Sequence, residues 1–280
     1  MPDVRTALRT AAERLAATSD TARLDAEVLM AHALGVSRTD VLLRHQGDPA
    51  PAAFDALVTR RATHEPVAYI TGRQEFYGLD FEVGPDVLIP RGDSETLIDA
   101  AREAFAGRAA PARVLDLGTG SGALLLAALS LWPQAQGVGI ERSTGALDVS
   151  RRNAQALGMA DRADMRAGDW TQAGWAQALG TFDLILANPP YIEVAQPIAP
   201  SVRDFEPASA LFAGDDGLDD YRLLVPLLPG LLAPDGVAMI EVGWTQGADV
   251  AALADAAGLS SHLHRDLAAR ERAVEMRHRR

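Results

Sequence analysis

The stretch from Val114 to Leu129 reads VLDLGTGSGALLLAAL, and it leaves the chain few ways to fold. An apolar run too short for a helix meets glycines at 118, 120 and 122, and a Leu/Ala-rich run of helical length follows. Glycine reaches backbone conformations closed to other residues, so the chain turns sharply here and leaves the helix N-terminus open to a ligand. Further short apolar runs lie at Gly137 to Ile140, Phe182 to Leu186 and Val237 to Val242, separated by helix-forming sequence. This alternation predicts an α/β fold, a mainly parallel Rossmann-like sheet with helices on both faces.

The residues before it have a different texture. Val4, Leu8, Ala11 and Leu15 stand at helical spacing, as do Leu24, Val28 and Ala31. Asp20 is placed to cap the second helix and Gly35 to end it, and Ser37 with Asp40 resembles a capping box. Pro51 opens a further helix with Phe54, Leu57 and Val58 on one face. Between Pro66 and Pro90, Gly72, Gly78, Gly84 and Pro85 punctuate short stretches, the pattern of a hairpin-like connector. The expected division is a helical bundle over 1–72, a connector over 73–92 and the α/β domain over 93–280.

Composition removes whole classes of chemistry. There is no cysteine, so disulfides, thiolate nucleophiles and Cys-ligated zinc are excluded. All 26 basic residues are arginine, which removes Schiff-base chemistry and the phosphate-binding lysine of a P-loop. The net charge is −12 and the arginines fall in scattered pairs such as Arg60-Arg61 and Arg151-Arg152, without the basic stripe that duplex binding demands. Stable nucleic-acid binding is therefore not expected. No apolar run approaches the ~18 residues of a membrane span, and the N-terminus carries Asp3 and Glu13 with no apolar core of a signal peptide, so a cytoplasmic protein is expected. No metal site is expected either. His262, His264 and His278 read as a solvated strand edge, the acids from Asp215 to Asp220 as charge at a helix N-terminus, and Arg277-His278-Arg279-Arg280 as a frayed basic tail.

Two features point to a nucleotide-type ligand. Gly118-x-Gly120-x-x-Ala123 fits a dinucleotide turn, and Glu141, about 20 residues on at the end of the second strand, suits ribose hydroxyls. On these alone NAD and S-adenosylmethionine are both open. Asp169-Trp170 lies where a third strand ends and suits an adenine edge and face. LILANPPY (Leu184 to Tyr191) ends the fourth, so Asp116, Glu141, Asp169 and Asn188 fall at successive carboxyl ends of strands, where open α/β sheets bind ligands.

Asn-Pro-Pro-Tyr tilts the choice toward methyl transfer to a planar NH2 group. An amide nitrogen is a poor nucleophile because its lone pair is delocalised. Two acceptors that take both N–H bonds turn that lone pair toward an electrophile. The Asn188 side-chain oxygen and the Pro189 carbonyl suit this, since Pro189 and Pro190 fix the backbone. Tyr191 is placed to stack on the planar group. Adenine N6, guanine N2 and a glutamine side chain present nearly the same target, and the element does not choose among them.

The chain as a whole resembles the release-factor glutamine methyltransferase family (HemK/PrmC). The resemblance rests on ARLDAEVLMAHALGVSRTDVLL in the bundle, EPVAYITGRQEFYGLDFEV in the connector and VLIPRGDSETL before the glycine strand. It continues through VLDLGTGSGA, AGDW, FDLILANPPYI, FEPASALFAGDDGLDDYR and EVGWTQG. It implies a methyltransferase that moves a methyl from S-adenosylmethionine, leaving S-adenosylhomocysteine, to the N5 amide of the glutamine in the Gly-Gly-Gln motif of class I peptide-chain release factors. It also implies that the bundle helps to grip the release factor. Carried over, Asp116 and the turn Gly118, Thr119, Gly120, Ser121 and Gly122 line the methionine end. Glu141 holds the ribose, Asp169 and Trp170 the adenine, and Asn188, Pro189, Pro190 and Tyr191 the glutamine. Two departures stand out: Glu141 replaces the family's common Asp, and Gly92 its usual Pro after the arginine. Glutamine methylation of a ribosomal protein is the alternative, and a DNA or RNA amino-methyltransferase a more distant one.

Overall fold

The computed structural model describes residues 2–279, and contacts divide it into two units. The first runs up to Arg73 and includes Ile198–Phe205; the second takes Gln74–Pro197 and Glu206 onward.

The first unit holds α1 (Val4–Leu15), α2 (Ala22–Leu34), α3 (Arg38–Leu43), α4 (Phe54–Ala62) and α5 (Val67–Thr71). Val4, Leu8, Leu15, Leu29, Met30, Val41, Phe54 and Val58 form its core. Ser37 caps α3 by accepting the Asp40 N–H, and Gly35 ends α2 in the left-handed region, as the sequence suggests. Two details differ. Asp20 does not cap α2, which begins after Thr21 without a side-chain cap. Nor does α2 turn Leu24 inward: its buried face carries Ala26, Leu29 and Met30 beside the acids Asp25 and Glu27. These acids are inside because arginines meet them, Arg61 Nε at 2.7 Å from Asp25, and Arg23 and Arg38 on Glu27 at 2.6 and 2.8 Å.

A hairpin follows, β1 (Arg73–Phe76) and β2 (Leu79–Glu82), which lies in the second unit from Gln74 onward and whose tip residues Tyr77 and Gly78 both have positive φ. There follow α6 (Glu95–Ala104), β3 (Arg113–Leu117), α7 (Ala123–Leu131), β4 (Gln136–Glu141), α8 (Thr144–Ala156), β5 (Ala163–Ala167) and β6 (Phe182–Ala187). After α9 (Pro200–Arg203), which belongs to the first unit, come α10 (Asp219–Leu224), α11 (Leu228–Leu231), β7 (Leu232–Glu241), α12 (Gly247–Ala256), β8 (Leu259–Arg265) and β9 (Glu271–His278).

The seven strands lie in the order β5-β4-β3-β6-β7-β9-β8, parallel from β5 to β7 and antiparallel thereafter. One face packs Leu115, Ile185 and Ile240 against Tyr221, Leu228 and Val250 from α10 to α12. On the other face α7 comes so close that a methyl group at Gly137 would lie 2.8 Å from Leu125 Cδ1. That approach explains Gly137, while Gly139 is required by Met165 and Thr119, which a methyl there would meet at 2.7 and 3.0 Å. The C-terminal basic run is not a frayed tail: Arg277 and His278 pair with Ser260 and Leu259 inside the sheet, and Arg279 bonds Asp255 at 2.9 Å. Arg280 lies outside the described residues. No helix among the described residues is long and apolar enough to cross a membrane.

Strand order reverses between β3 and β6, and the carboxyl ends there form the natural crevice of such a sheet.

Candidate active site

That crevice holds a cleft of roughly 920 Å³ including its open mouth. Its floor is the turn after β3. Gly118, Gly120 and Gly122 have φ of 73°, 54° and 86°, a left-handed path that β-carbons resist. The Gly118 and Thr119 amides both bond the Ile140 carbonyl, at 2.9 and 3.0 Å, locking the turn to β4. Buried Asn153 of α8 joins the Ser121 carbonyl to both backbone groups of Glu82, at 2.7 to 3.0 Å. One side chain thus ties the glycine turn to the hairpin that begins the opposite wall.

Gly118, Thr119, Gly120, Ser121, Glu141, Trp170, Asn188 and Pro190 line the cleft. Glu141 stands at the end of β4, its oxygens taking the amides of Gly120 at 3.0 Å and Ser143 at 2.9 Å. It is an anchored acceptor with lone pairs to spare. Trp170 Nε1 donates to Asp220 at 2.7 Å, which fixes the indole so close to Gly118 that a methyl there would lie 3.0 Å from the ring.

The remaining candidates stand outside the cleft lining. Asp116 is buried under the turn with Thr119 Oγ1 on its Oδ2 at 2.6 Å and no partner on Oδ1. Burial pushes its carboxyl up to about 7, against the Thr119 bond. Gly122 faces Leu126 and Ser150. Asp169 takes the Thr171 amide and hydroxyl on one oxygen, at 2.9 and 2.7 Å, and these bonds hold its carboxyl below the usual range. Pro189 is buried. Tyr191 packs against the core and points its hydroxyl at Glu241 Oε1, 3.3 Å away. Burial and the Glu241 charge push the phenol well above its ordinary range.

Several site residues were not anticipated. Asn188 Nδ2 lies 3.3 Å from the Ser94 hydroxyl, and Ser94 lines the cleft. Arg91 lines it too, paired with Glu206, whose second oxygen takes the Ile89 amide at 3.2 Å. Glu206 precedes Pro207, Ser209 and Ala210, a strap along the cleft that Arg142 also holds through the Ser209 carbonyl at 2.8 Å. Glu241, the last residue of β7, is only 1% exposed. Its signal was present: it is a fifth polar residue at the carboxyl end of an apolar strand. Ser94, Arg91 and Glu206 carry no such local signal.

The arrangement can hold a nucleoside-bearing ligand on the turn and a planar amide beside it. Known proteins agree with this shape. Residues 6–72 match the model of the PrmC N-terminal domain, and residues 110–262 that of a methyltransferase domain. Among solved structures, the ribosomal protein L11 methylase from Lactobacillus delbrueckii subsp. bulgaricus shares the fold at TM-score 0.50 and 19% identity, over 71% of this chain and 84% of that one. The catalytic domain of hMettl16 does so at TM-score 0.57 and 13% identity, over 78% and 82%. In sequence, release factor glutamine methyltransferases from Burkholderia pseudomallei and Cereibacter sphaeroides are 45% and 42% identical, over 94% of both chains and 97% of both chains respectively. One from Rhodospirillum rubrum is 44% identical over 92% of this chain and 79% of its own length. With that identity spanning both the helical unit and the sheet, the chain belongs to the release factor glutamine methyltransferase family of enzymes.

Proposed function

We propose that the protein transfers the methyl group of S-adenosylmethionine to the N5 amide nitrogen of the glutamine in the Gly-Gly-Gln motif of class I peptide-chain release factors. We further assign residues 1–72 to gripping the release factor, 73–92 to the connector and 93–280 to the chemistry. The observation that carries the reading is the Asn188 carboxamide at the rim of the cleft, its nitrogen turned to Ser94 and its oxygen left as an acceptor.

The residues present fit the cofactor. Glu141, held by two backbone amides, offers two oxygens of the kind that bind vicinal hydroxyls. Trp170 supplies a flat apolar face, and the glycine turn lets a ligand approach backbone. Asp116 lies buried beneath the turn, its Oδ2 accepting from Thr119 Oγ1 at 2.6 Å, and so braces the turn from below. When bound, S-adenosylmethionine supplies an electrophilic methyl on a sulfonium.

The protein's share is positioning. Asn188 Oδ1 and the Pro189 carbonyl accept the two N–H bonds of the substrate amide and so orient its lone pair. Both acceptors are neutral oxygens that stabilise positive charge developing on that nitrogen. The extra proton leaves a strongly acidic protonated amide, so no strong base is needed. Holding reactants near ~3–3.5 Å in line is worth roughly 7–11 kcal/mol.

The test is methyl-labelled S-adenosylmethionine with the protein and, separately, a class I release factor, a glutamine-to-alanine variant of its motif, ribosomal protein, tRNA and DNA. Label in the release factor alone, lost in the variant, is the expected result. Label only in ribosomal protein or nucleic acid overturns the reading.

A further inference from the structure

The chain leaving Asn188-Pro189-Pro190-Tyr191 is tied down by a side chain that the chemistry above does not use. Gln246, only 8% exposed, stands just before α12 and outside the cleft lining. Its Nε2 lies 3.1 Å from the Tyr191 carbonyl, 3.2 Å from that of Gly217 and 3.4 Å from that of Asp216. Its Oε1 accepts the Gly243 amide at 3.1 Å, and its own amide bonds the Gly243 carbonyl at 2.8 Å. A carboxamide nitrogen only donates and its oxygen only accepts, so these partners fix which end faces the three carbonyls.

Two glycines let the neighbours come this close. A methyl at Gly217, whose φ is 70°, would collide with the Tyr191 carbonyl oxygen and lie 2.5 Å from Gln246 Nε2. One at Gly243 would lie 2.6 Å from Gln246 Oε1.

We propose that Gln246 is a positioning residue for methyl transfer: it holds the Tyr191 carbonyl, and through the two prolines it sets where the acceptors of Asn188 and Pro189 point. Proline rings fix φ at 189 and 190, so the run from Asn188 to Tyr191 has few soft torsions. A shift of the Tyr191 carbonyl is therefore passed back to Pro189 rather than absorbed on the way. On either side of that carbonyl, the Tyr191 hydroxyl reaches Glu241 Oε1 at 3.3 Å and the Ile192 amide reaches the Leu211 carbonyl at 2.9 Å. Gln246 supplies the hold on the peptide between them. This rests on the function proposed above and adds what aims its acceptors. Asn188 and Pro189 meet the substrate amide; Gln246 acts only through them.

The experiment compares wild type with Q246M, Q246E and G217A, using full-length protein, release factor and labelled S-adenosylmethionine. Q246M keeps a side chain of similar length and removes its hydrogen bonds; Q246E keeps the acceptor for Gly243 and turns a second oxygen on the three carbonyls. Each should lower kcat about 10- to 100-fold, the effect of misplacing reacting groups by about 1 Å. KM and S-adenosylhomocysteine affinity should stay within about twofold, because alignment is lost and the cleft is not. G217A pushes on the same carbonyl, so its combination with Q246M should lose no more than the worse single variant. G158A, with φ of 68° and open space around its methyl, carries the backbone strain alone and should keep the wild-type kcat. Melting curves check folding. Should Q246M not fold, G217A decides by the same readings; if neither folds, Gln246 is a folding residue and the inference falls. An active wild type matched by Q246M in kcat overturns this inference alone, as does a loss carried by KM or cofactor affinity, or single losses that multiply. A wild type inactive on release factor overturns the proposed function and this inference with it.

Discussion

Replacing Gly118 with alanine separates two costs that the structure places at one atom. Gly118 has φ of 73°, where an L-residue costs roughly 1–2 kcal/mol. Its new methyl would also lie 3.0 Å from Trp170 Cη2 and 3.4 Å from Cζ3. The indole cannot simply step aside, because Nε1 holds Asp220 at 2.7 Å, a bond worth about 1–2 kcal/mol. Gly158 supplies the control: its φ is 68° and nothing lies within 4 Å of its would-be methyl. Both substitutions restrict the unfolded chain alike, so that effect cancels. Gly158→Ala should cost about 1–2 kcal/mol and leave cofactor binding unchanged. Gly118→Ala should cost about 2–4 kcal/mol, a further melting-temperature drop of roughly 2–8 °C, and weaken S-adenosylmethionine binding about 5- to 30-fold by moving the ring. Releasing the indole with Asp220→Ala should make the Gly118→Ala penalty smaller, a coupling seen in a double-mutant cycle. Melting curves and calorimetric titration measure all of this. Equal stability losses in the two single variants, with equal cofactor affinity, would refute the role given to Trp170.

Glu141→Ala removes the acceptor shared by the Gly120 and Ser143 amides, and cofactor affinity measured by titration should fall at least about tenfold while the fold survives. In the first unit, Asp25→Ala strands Arg61 in a nearly dry site and should cost about 3–5 kcal/mol in a denaturant melt, whereas breaking the solvent-screened Arg203–Asp204 pair should leave the melt almost unchanged. Stability should also depend on pH in an unusual direction. Burial raises the carboxyls of Asp116 and Glu241 to about 7 in the folded state, above their ordinary 3.8 and 4.5. Between those limits the folded state binds more protons than the unfolded one, so their contribution to stability falls as pH rises toward 7 and is constant above it. The Asp116→Asn, Glu241→Gln variant should lose that slope between pH 5 and 7 in thermal melts; a slope identical to wild type contradicts the burial argument.

The parallel half of the sheet was legible because β3, β4 and β6 carry short apolar runs, broken only by Asp116 and Asp183, and end next to residues that stop strands. Strands β5, β8 and β9 show no apolar run, because they carry charge within the strand (Asp164 and Arg166, His264 and Arg265, Arg272 and Glu275); β5 was placed only by the Asp169-Trp170 that follows it, and β8 only by its histidines. Only the register shows that Arg277 and His278 are held by Ser260 and Leu259. The face of α2 was misjudged for a related reason, since apolar spacing cannot reveal two acids made buriable by arginines elsewhere in the chain. At the site, Asn188 and the glycine turn are local motifs and could be read directly. Glu206 meets Arg91 from 115 residues away, and no local pattern reports such a pair. The bond between Tyr191 and Glu241, 50 residues apart, likewise depends on where β7 ends.

The central claim is tested most directly by a crystal structure of the protein with S-adenosylhomocysteine and a peptide containing Gly-Gly-Gln. The account predicts the glutamine amide nitrogen within hydrogen-bond reach, about 2.7–3.2 Å, of both Asn188 Oδ1 and the Pro189 carbonyl, facing the cofactor sulfur. A well-ordered glutamine bonded elsewhere, or an Asn188 that offers its nitrogen to the peptide, would contradict it.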